Sequence, residues 1–269
     1  MHDDEVKVRV TGSEPARPVV TAGQTGGRAE LPPGGVVLRG ARFEEVDFSG
    51  LRLQGLGIYG CTFIRCDFRK AVLLGSIGMP PRSAFADCRF DGADLRGADP
   101  GEARFERCTF DAARLDGWHT WSAEFVACRF AGRIHDVEFA ARPPTVRVPE
   151  RGGAPIEWPQ NEFRGNDFRE AVLDDVEFVG GIDLDAQLWP DDPQLRRIDV
   201  SPARIDQAEA AARAGDRLEQ DLFVLRWLRG RYRHQPVLLA RTVKPRILGR
   251  YLELLELADS ADPPTPRTN

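Results

Sequence analysis

Residues 36–73 read VVLRGARFEEVDFSGLRLQGLGIYGCTFIRCDFRKAVL. An apolar residue recurs every fifth position, at Leu38, Phe43, Phe48, Leu53, Ile58, Phe63, Phe68 and Leu73, and two residues before each stands a small or apolar one: Val36, Ala41, Val46, Leu51, Leu56, Cys61, Cys66, Ala71. Apolar spacings of 2, 3, 2, 3 fit neither a helix nor an alternating strand, so the chain must turn every five residues. A second run keeps the period at Phe85, Phe90, Leu95, Phe105, Phe110, Leu115, Phe125 and Phe130. Four fives make a coil of twenty. In columns of twenty, with two residues inserted before Phe85, Phe43, Phe63, Phe85, Phe105 and Phe125 align, as do Phe48, Phe68, Phe90, Phe110 and Phe130, and Leu53, Leu73, Leu95 and Leu115. The fourth face is irregular, falling at Ile58, residues 76–82, Pro100 and Thr120.

Two further columns inform the fold. Gly55, Gly75, Gly97 and Gly117 stack at the corner after the third face, where a positive φ or a close backbone approach is expected. Cys66, Cys88, Cys108 and Cys128 form an inward column, with Cys61 one unit earlier. A straight ladder with rungs about 4.8 Å apart cannot wrap a zinc ion tetrahedrally, so the cysteines read as small buried hydrophobes and no metal or other cofactor is expected.

The unit, as in Cys66-Asp67-Phe68-Arg69-Lys70 and Ala93-Asp94-Leu95-Arg96-Gly97, resembles the pentapeptide-repeat family. The resemblance covers 36–130 and resumes at Phe163, Phe168, Leu173 and Phe178. It implies a mainly β solenoid, a right-handed quadrilateral β-helix of about six coils, and a rod roughly 29 Å long at strand spacing. Four segments are expected: a polar N-terminal segment 1–35 whose Val6–Val10 suggests a capping strand; the β-helix 36–183, with a Pro-rich loop excursion near 140–160; a C-terminal helical region 184–258; and a disordered tail 259–269. Between Phe130 and Phe163 the pattern fails, with Ile134 and Phe139 in a shifted frame.

From Leu184 the periodicity reads as helical. Ser201-Pro202 predicts a helix start and Gly215 its end. Asp216 and Glu219 resemble a capping box ahead of Leu218, Leu222, Leu225 and Tyr232, and Pro245 opens a last helix through Leu248, Leu252 and Leu255. Solenoid ends need covering, which makes a cap the plain reading of these helices. The region also carries Arg226, Arg229, Arg231, Arg233, Arg241, Lys244, Arg246 and Arg250 with no acid between Leu222 and Leu252, a candidate surface for an acidic partner, nucleic acid or phosphate, set against a solvated helix face or cations that pair with acids on the rod.

Chemistry is sparse. The histidines, His2, His119, His135 and His234, fall at the N-terminus, in repeat breaks and in an inter-helix turn, and no nucleophile, phosphate-loop or zinc-protease motif is present. No enzyme is expected. Trp118 and Trp121, on the irregular face, are a candidate aromatic contact, beside the plainer reading that Trp118, at an inward position, fills the corner. A net charge of −5 argues against direct nucleic-acid binding, and the longest uncharged stretch, the twelve residues Leu53–Ile64, is too short to cross a membrane. An acidic N-terminus resembles no targeting peptide, so a cytoplasmic location is expected. The reading is a non-catalytic interaction or scaffold protein, monomer or homodimer, with a protein partner. The resemblance implies one alternative, a DNA mimic that binds type II topoisomerase (gyrase) and protects it from toxins or quinolones. Residues 31–183 hold 24 acids and 19 bases, a thin charge beside a duplex with one charge per ~1.7 Å. The outward column Glu45, Arg65, Asp87, Arg107 alternates in sign, which favours local pairing.

Overall fold

A computed structural model of the protein describes residues 17–31, 35–143, 159–215, 219–241 and 253–256. The twenty-residue coil appears directly in the strand register, with Phe43 beside Phe63, Phe63 beside Phe85, Phe85 beside Phe105 and Phe105 beside Phe125, all in parallel. These three-residue strands build one seven-stranded sheet edged by Gln24–Thr25 and Phe163–Arg164. The second face is tied by single bridges from Asp47 to Asp67, Arg89 and Thr109. The third and fourth faces merge into longer strands, Arg52–Tyr59 and Val72–Met79 early in the rod, Arg129–Ala140 and Asp167–Val179 late in it. The molecule is a β-solenoid of about six turns with C-terminal helices, as the five-residue period predicts.

One inward side chain per face fills the bore. Phe43, Phe48, Leu53, Phe63, Phe68, Leu73, Phe85, Phe90, Leu95, Phe105, Phe110, Leu115, Phe125, Phe130, Phe163, Phe168, Leu173 and Phe178 are all buried. Two phenylalanine ladders run along the axis. In the second, Phe48, Phe68, Phe90, Phe110, Phe130 and Phe168 stack near-parallel with centroids 4.6–5.1 Å apart. Rings of the two ladders meet edge to face, as in Phe43–Phe48 at 5.5 Å. Each buried ring contributes ~1.5–3 kcal/mol, and edge-to-face pairs add to that. Trp189 closes the second ladder, stacked on Phe168 at 5.2 Å.

Corners are sharp enough to hold side-chain-bearing residues at positive φ: Glu45, Arg65, Asp87, Arg107 and Ala127 occupy one corner on successive coils, followed by Gly165. In the glycine column, Gly55, Gly75 and Gly117 have positive φ, and Asp136 and Asp175 continue it. Gly75 is the tightest, since a Cβ there would lie 2.1 Å from the Leu56 carbonyl oxygen. Gly97 differs: its φ is ordinary, and what crowds a Cβ is the side chain of Leu74 at 2.3 Å.

The cysteines are buried free thiols. Cys66, Cys88, Cys108 and Cys128 donate to the carbonyls of Phe43, Phe63, Phe85 and Phe105 at 3.3–3.5 Å, each one coil back. Burial pushes the thiols of Cys61 and Cys108 up. The column ends in a buried amide pair: the Cys128 amide donates to Asn166 Oδ1 at 3.0 Å, and the Asn166 amide donates to Gln187 Oε1 at 3.0 Å.

The structure departs from the sequence reading in four places. The rod begins before Val36, because Val19–Val20 and Gln24–Thr25 pair in parallel with the next coil; the expected strand at Val6–Val10 lies outside the described residues. Residues 131–140 stay in the rod, Ile134 beside Leu173 and Phe139 beside Phe178, with the frame shift absorbed between Arg129 and Ala131. The expected excursion falls on residues 144–158, which lie outside the described residues; beyond them the rod continues, the Asn161 amide donating to the Ala141 carbonyl at 2.7 Å. Residues 184–189 are not helical but belong to the last coil, the Leu188 amide donating to the Asn166 carbonyl and the Phe168 amide to the Leu188 carbonyl.

Fourth, the C-terminal region contains a sheet. Leu195–Asp199 and Val237–Arg241 form an antiparallel pair. Leu239 joins the rod core, with Trp189, Leu195 and Val237 packed on it, so this strand pair covers the open end. Helix α1 (Pro202–Ala214) starts at Ser201, whose hydroxyl accepts from the Arg204 amide, and stops at Gly215. Helix α2 (Glu219–Arg231) buries Leu222, Leu225 and Leu228. Asp216, Leu218, Pro245, Leu248 and Leu252 lie outside the described residues; residues 253–256 are helical and Leu255 is buried.

Candidate functional site

The irregular fourth face and the basic helix, far apart in sequence, meet in space. Parallel register puts His119 beside Glu138 and Glu138 beside Glu177, an outward column on three adjacent coils. Two stacked carboxylates repel unless a cation lies between them. Arg231, at the end of α2, bonds both Glu138 and Glu177. Burial opposes its charge, but the two glutamates outweigh burial and hold its pKa above the ordinary arginine value. Trp121 Nε1 donates to the other oxygen of Glu138 at 2.8 Å. The neighbouring outward residues Ala140 and Val179 are buried in a second core with Ile205, Ala208, Leu225, Leu228 and Tyr232. The helices therefore lie along the fourth face, while the antiparallel strand pair closes the end.

Trp118 is corrected from the candidate aromatic contact: it is buried, and its indole N–H donates to the Leu95 carbonyl at 2.7 Å. Its inward position in the repeat forces that placement. Trp121 remains exposed.

The basic run divides. Arg229 bonds Asp206 and lies 3.3 Å from Glu209 on α1. Arg241 pairs with Asp192 at 3.2 Å. With Arg231, these cations fasten the C-terminal region to itself and to the rod. Arg226 and Arg233 are exposed and make no ion pair among the described residues. Lys244, Arg246 and Arg250 lie outside the described residues.

A feature that sequence reasoning missed sits beside Arg226. Glu219, Phe223, Arg226, Trp227 and Gly230 share the exposed side of α2, opposite Leu222, Leu225 and Leu228. Phe223 is 68% exposed and Trp227 41%. The signal was the i, i+4 aromatic pair out of phase with the leucines. A shallow hollow of about 510 Å³ is bounded by Glu219, Gln220, Phe223, Val224 and Arg226.

Along the rod, charges pair from coil to coil. Arg65 bonds Glu45 at 2.9 Å and Arg107 bonds Asp87 at 2.7 Å, so the alternating column is internally neutralised. On the first face Glu124 accepts from Arg82 and Arg104, both at 2.7 Å. Arginine hydrogen bonds hold the carboxyls of Glu44, Asp67, Asp87 and Asp94 below their usual range. Among the described residues no three His, Cys, Asp or Glu side chains are placed to hold a metal, and no helix is long and apolar enough to cross a membrane. His135 Nδ1 meets the Asp174 backbone carbonyl at 3.1 Å, on an outward face.

Fold and surface together define a class: a four-sided β-solenoid whose end and one side are covered by an appended module. Residues 85–117 match the family model described as pentapeptide repeats, in 8 copies. No curated protein matches the chain. Among solved structures, a trypsin-treated variant of QnrB1, a plasmid-mediated fluoroquinolone resistance protein, is 18% identical, covering 60% of this chain and 91% of that one, with a TM-score of 0.20. HetL, a pentapeptide repeat protein involved in heterocyst differentiation regulation from the cyanobacterium Nostoc sp. strain PCC 7120, is 17% identical over 64% and 87%, with a TM-score of 0.22.

Proposed function

We propose that this is a non-catalytic interaction protein in which the rod is a scaffold and the exposed side of α2 is the partner surface. The observation that carries the reading is the exposure of Phe223 and Trp227 beside Arg226 on a helix whose other face is packed. Large aromatics with an arginine are the side chains that dominate interface energetics, and their exposure in a free chain marks a contact surface. Affinity recovery with the full chain tests it, comparing the parent with Phe223→Ser/Trp227→Ser and with Arg226→Glu/Arg233→Glu. Partners lost from both variants are expected; an identical set of recovered proteins overturns the reading.

DNA mimicry toward a type II topoisomerase fits less well. A mimic needs a continuous acidic stripe, and here the outward acids are matched by arginines one coil away. A gyrase supercoiling assay with and without a quinolone separates the two: inhibition or rescue by folded protein supports mimicry, and no effect supports the α2 surface.

A further inference from the structure

We infer that the uncovered half of the fourth face docks an amphipathic helix of another protein, laid along the rod next to the chain's own helical module. This surface is distinct from the α2 stripe, and the inference does not depend on that reading.

Register places both halves on one surface. Ala140 and Val179, which the helices of the module cover, are paired neighbours on the last two turns of the face. Trp121 stands one coil before Ala140, in the register that sets Thr120 beside Phe139. At the corresponding place on earlier coils Arg39 lies beside Tyr59, and Tyr59 beside Met79. Val19, at the start of the same face, is 58% exposed, Met79 37% and Trp121 43%. The apolar surface therefore continues past the edge of the module. Tyrosine, methionine, tryptophan and arginine are the side chains enriched where proteins meet.

The occupant has to bring its own hydrogen-bonded backbone. The strands of the uncovered half form one five-stranded parallel sheet from Val19–Val20 to Asp94–Asp99, each inner strand paired on both sides. The face thus offers no strand edge to an extended peptide, whereas a helix arrives with its backbone satisfied. Gly57, Ser76 and Gly101 put small side chains between the large ones, which leaves room for a helix ridge.

The face also sets length and charge. Val19 to His119 spans about five coil spacings, roughly 24 Å, or about 16 residues of helix. Arg39 lies over the Tyr59 ring at 4.9 Å and makes no ion pair among the described residues. Asp99 makes none there either, its Oδ1 accepting from the Gly101 amide. The two stand about three coils apart, roughly 14 Å, which calls for an acid and a base about nine to ten residues apart on the helix.

A yeast-displayed library of helix-forming peptides of about 16 residues, randomised on one face and selected against the full chain, tests the inference. Enriched peptides are expected to share an apolar stripe at i, i+3 or i+4 and i+7, with the acid and base at the stated spacing. Trp121→Ser, Met79→Ser and Arg39→Glu are each expected to weaken their binding at least ~10-fold, with unchanged circular dichroism since all three positions are exposed. Phe223→Ser leaves it unchanged, which keeps this surface separate from the α2 stripe. No enrichment, or peptides that bind these three variants as well as the parent, overturns the inference. A photocrosslinker at position 79 of the full chain checks the occupant: a link within one chain, or between two copies, likewise overturns a foreign helix.

Discussion

Arg231 reaches from the end of α2 to Glu138 on the fourth face of the rod, and Glu138 also accepts from the Trp121 indole. Glu177 lies on the same guanidinium. Removing Arg231 leaves two stacked carboxylates half-buried and unneutralised, a worse state than having neither. Arg231→Ala is expected to cost about 2–4 kcal/mol in urea denaturation and to raise protease sensitivity of residues 190–241 ahead of the rod. Glu138→Gln/Glu177→Gln in that background should recover much of the loss. A uniform loss across rod and helices would contradict the anchoring role.

The two tryptophans three residues apart should behave oppositely. Trp118→Ala opens a cavity among Phe105, Phe110 and Phe125 and is expected to cost about 3–5 kcal/mol. Trp121→Ala removes an exposed ring and one hydrogen bond, at about 1 kcal/mol. Chemical denaturation of the two variants side by side measures the contrast, and equal costs would place Trp118 wrongly.

Ala127 holds φ 52° at a corner where other coils tolerate larger side chains. Left-handed backbone costs an L-residue about 1–2 kcal/mol, while glycine adds about 0.5–1 kcal/mol of unfolded-state freedom. Ala127→Gly should therefore stabilise by up to about 1 kcal/mol. Gly75→Ala should do the reverse by 2 kcal/mol or more on the order set by strained backbone, since its Cβ meets the Leu56 carbonyl. Thermal melts suffice, and a destabilised Ala127→Gly would refute the strain argument.

Acid should loosen the rod late. Asp47 is held down to about 2 by the Ser49 hydroxyl and amide and by Arg28; Asp67, Asp94 and Asp167 are lowered by Arg69, Arg96 and Arg169. A carboxyl whose folded pKa is depressed stabilises above its unfolded value near ~3.9, and that contribution disappears as pH falls through the folded value. Because these groups are largely solvated, each contribution is small. The melting temperature is expected to stay flat from about pH 7 to 5 and to fall between about pH 4 and 2. Loss of structure already at pH 6 would point to a different titrating group.

The rod was legible because every fifth residue must enter the bore, so Phe43 through Phe130 announce themselves without any long-range information. Its ends were not. Residues 17–31 and 182–189 complete coils with Val20, Leu184 and Trp189, whose inward positions lack the Phe–Leu monotony and are fixed by pairing with a neighbouring coil. The antiparallel strand pair was missed for a similar reason: Leu195–Asp199 and Val237–Arg241 take strand form from each other and from the solenoid end, across a helical stretch that dominates the local pattern. At the candidate site, Arg231 and Trp121 were visible as residue types, but their shared partner Glu138 is one outward acid among many. Only register singles it out.

The strand pair over the last coil also bears on what the molecule does not become. A bare solenoid end displays parallel strands that match the opposite end of another copy, and such head-to-tail matching, having no closing symmetry, grows into filaments. Here the covering pair runs antiparallel, ties itself to the last coil through Arg197 on Asp185 and the Leu184 carbonyl, and sends Leu239 into the bore. At this end, the rod is blocked from stacking a further coil on the last one.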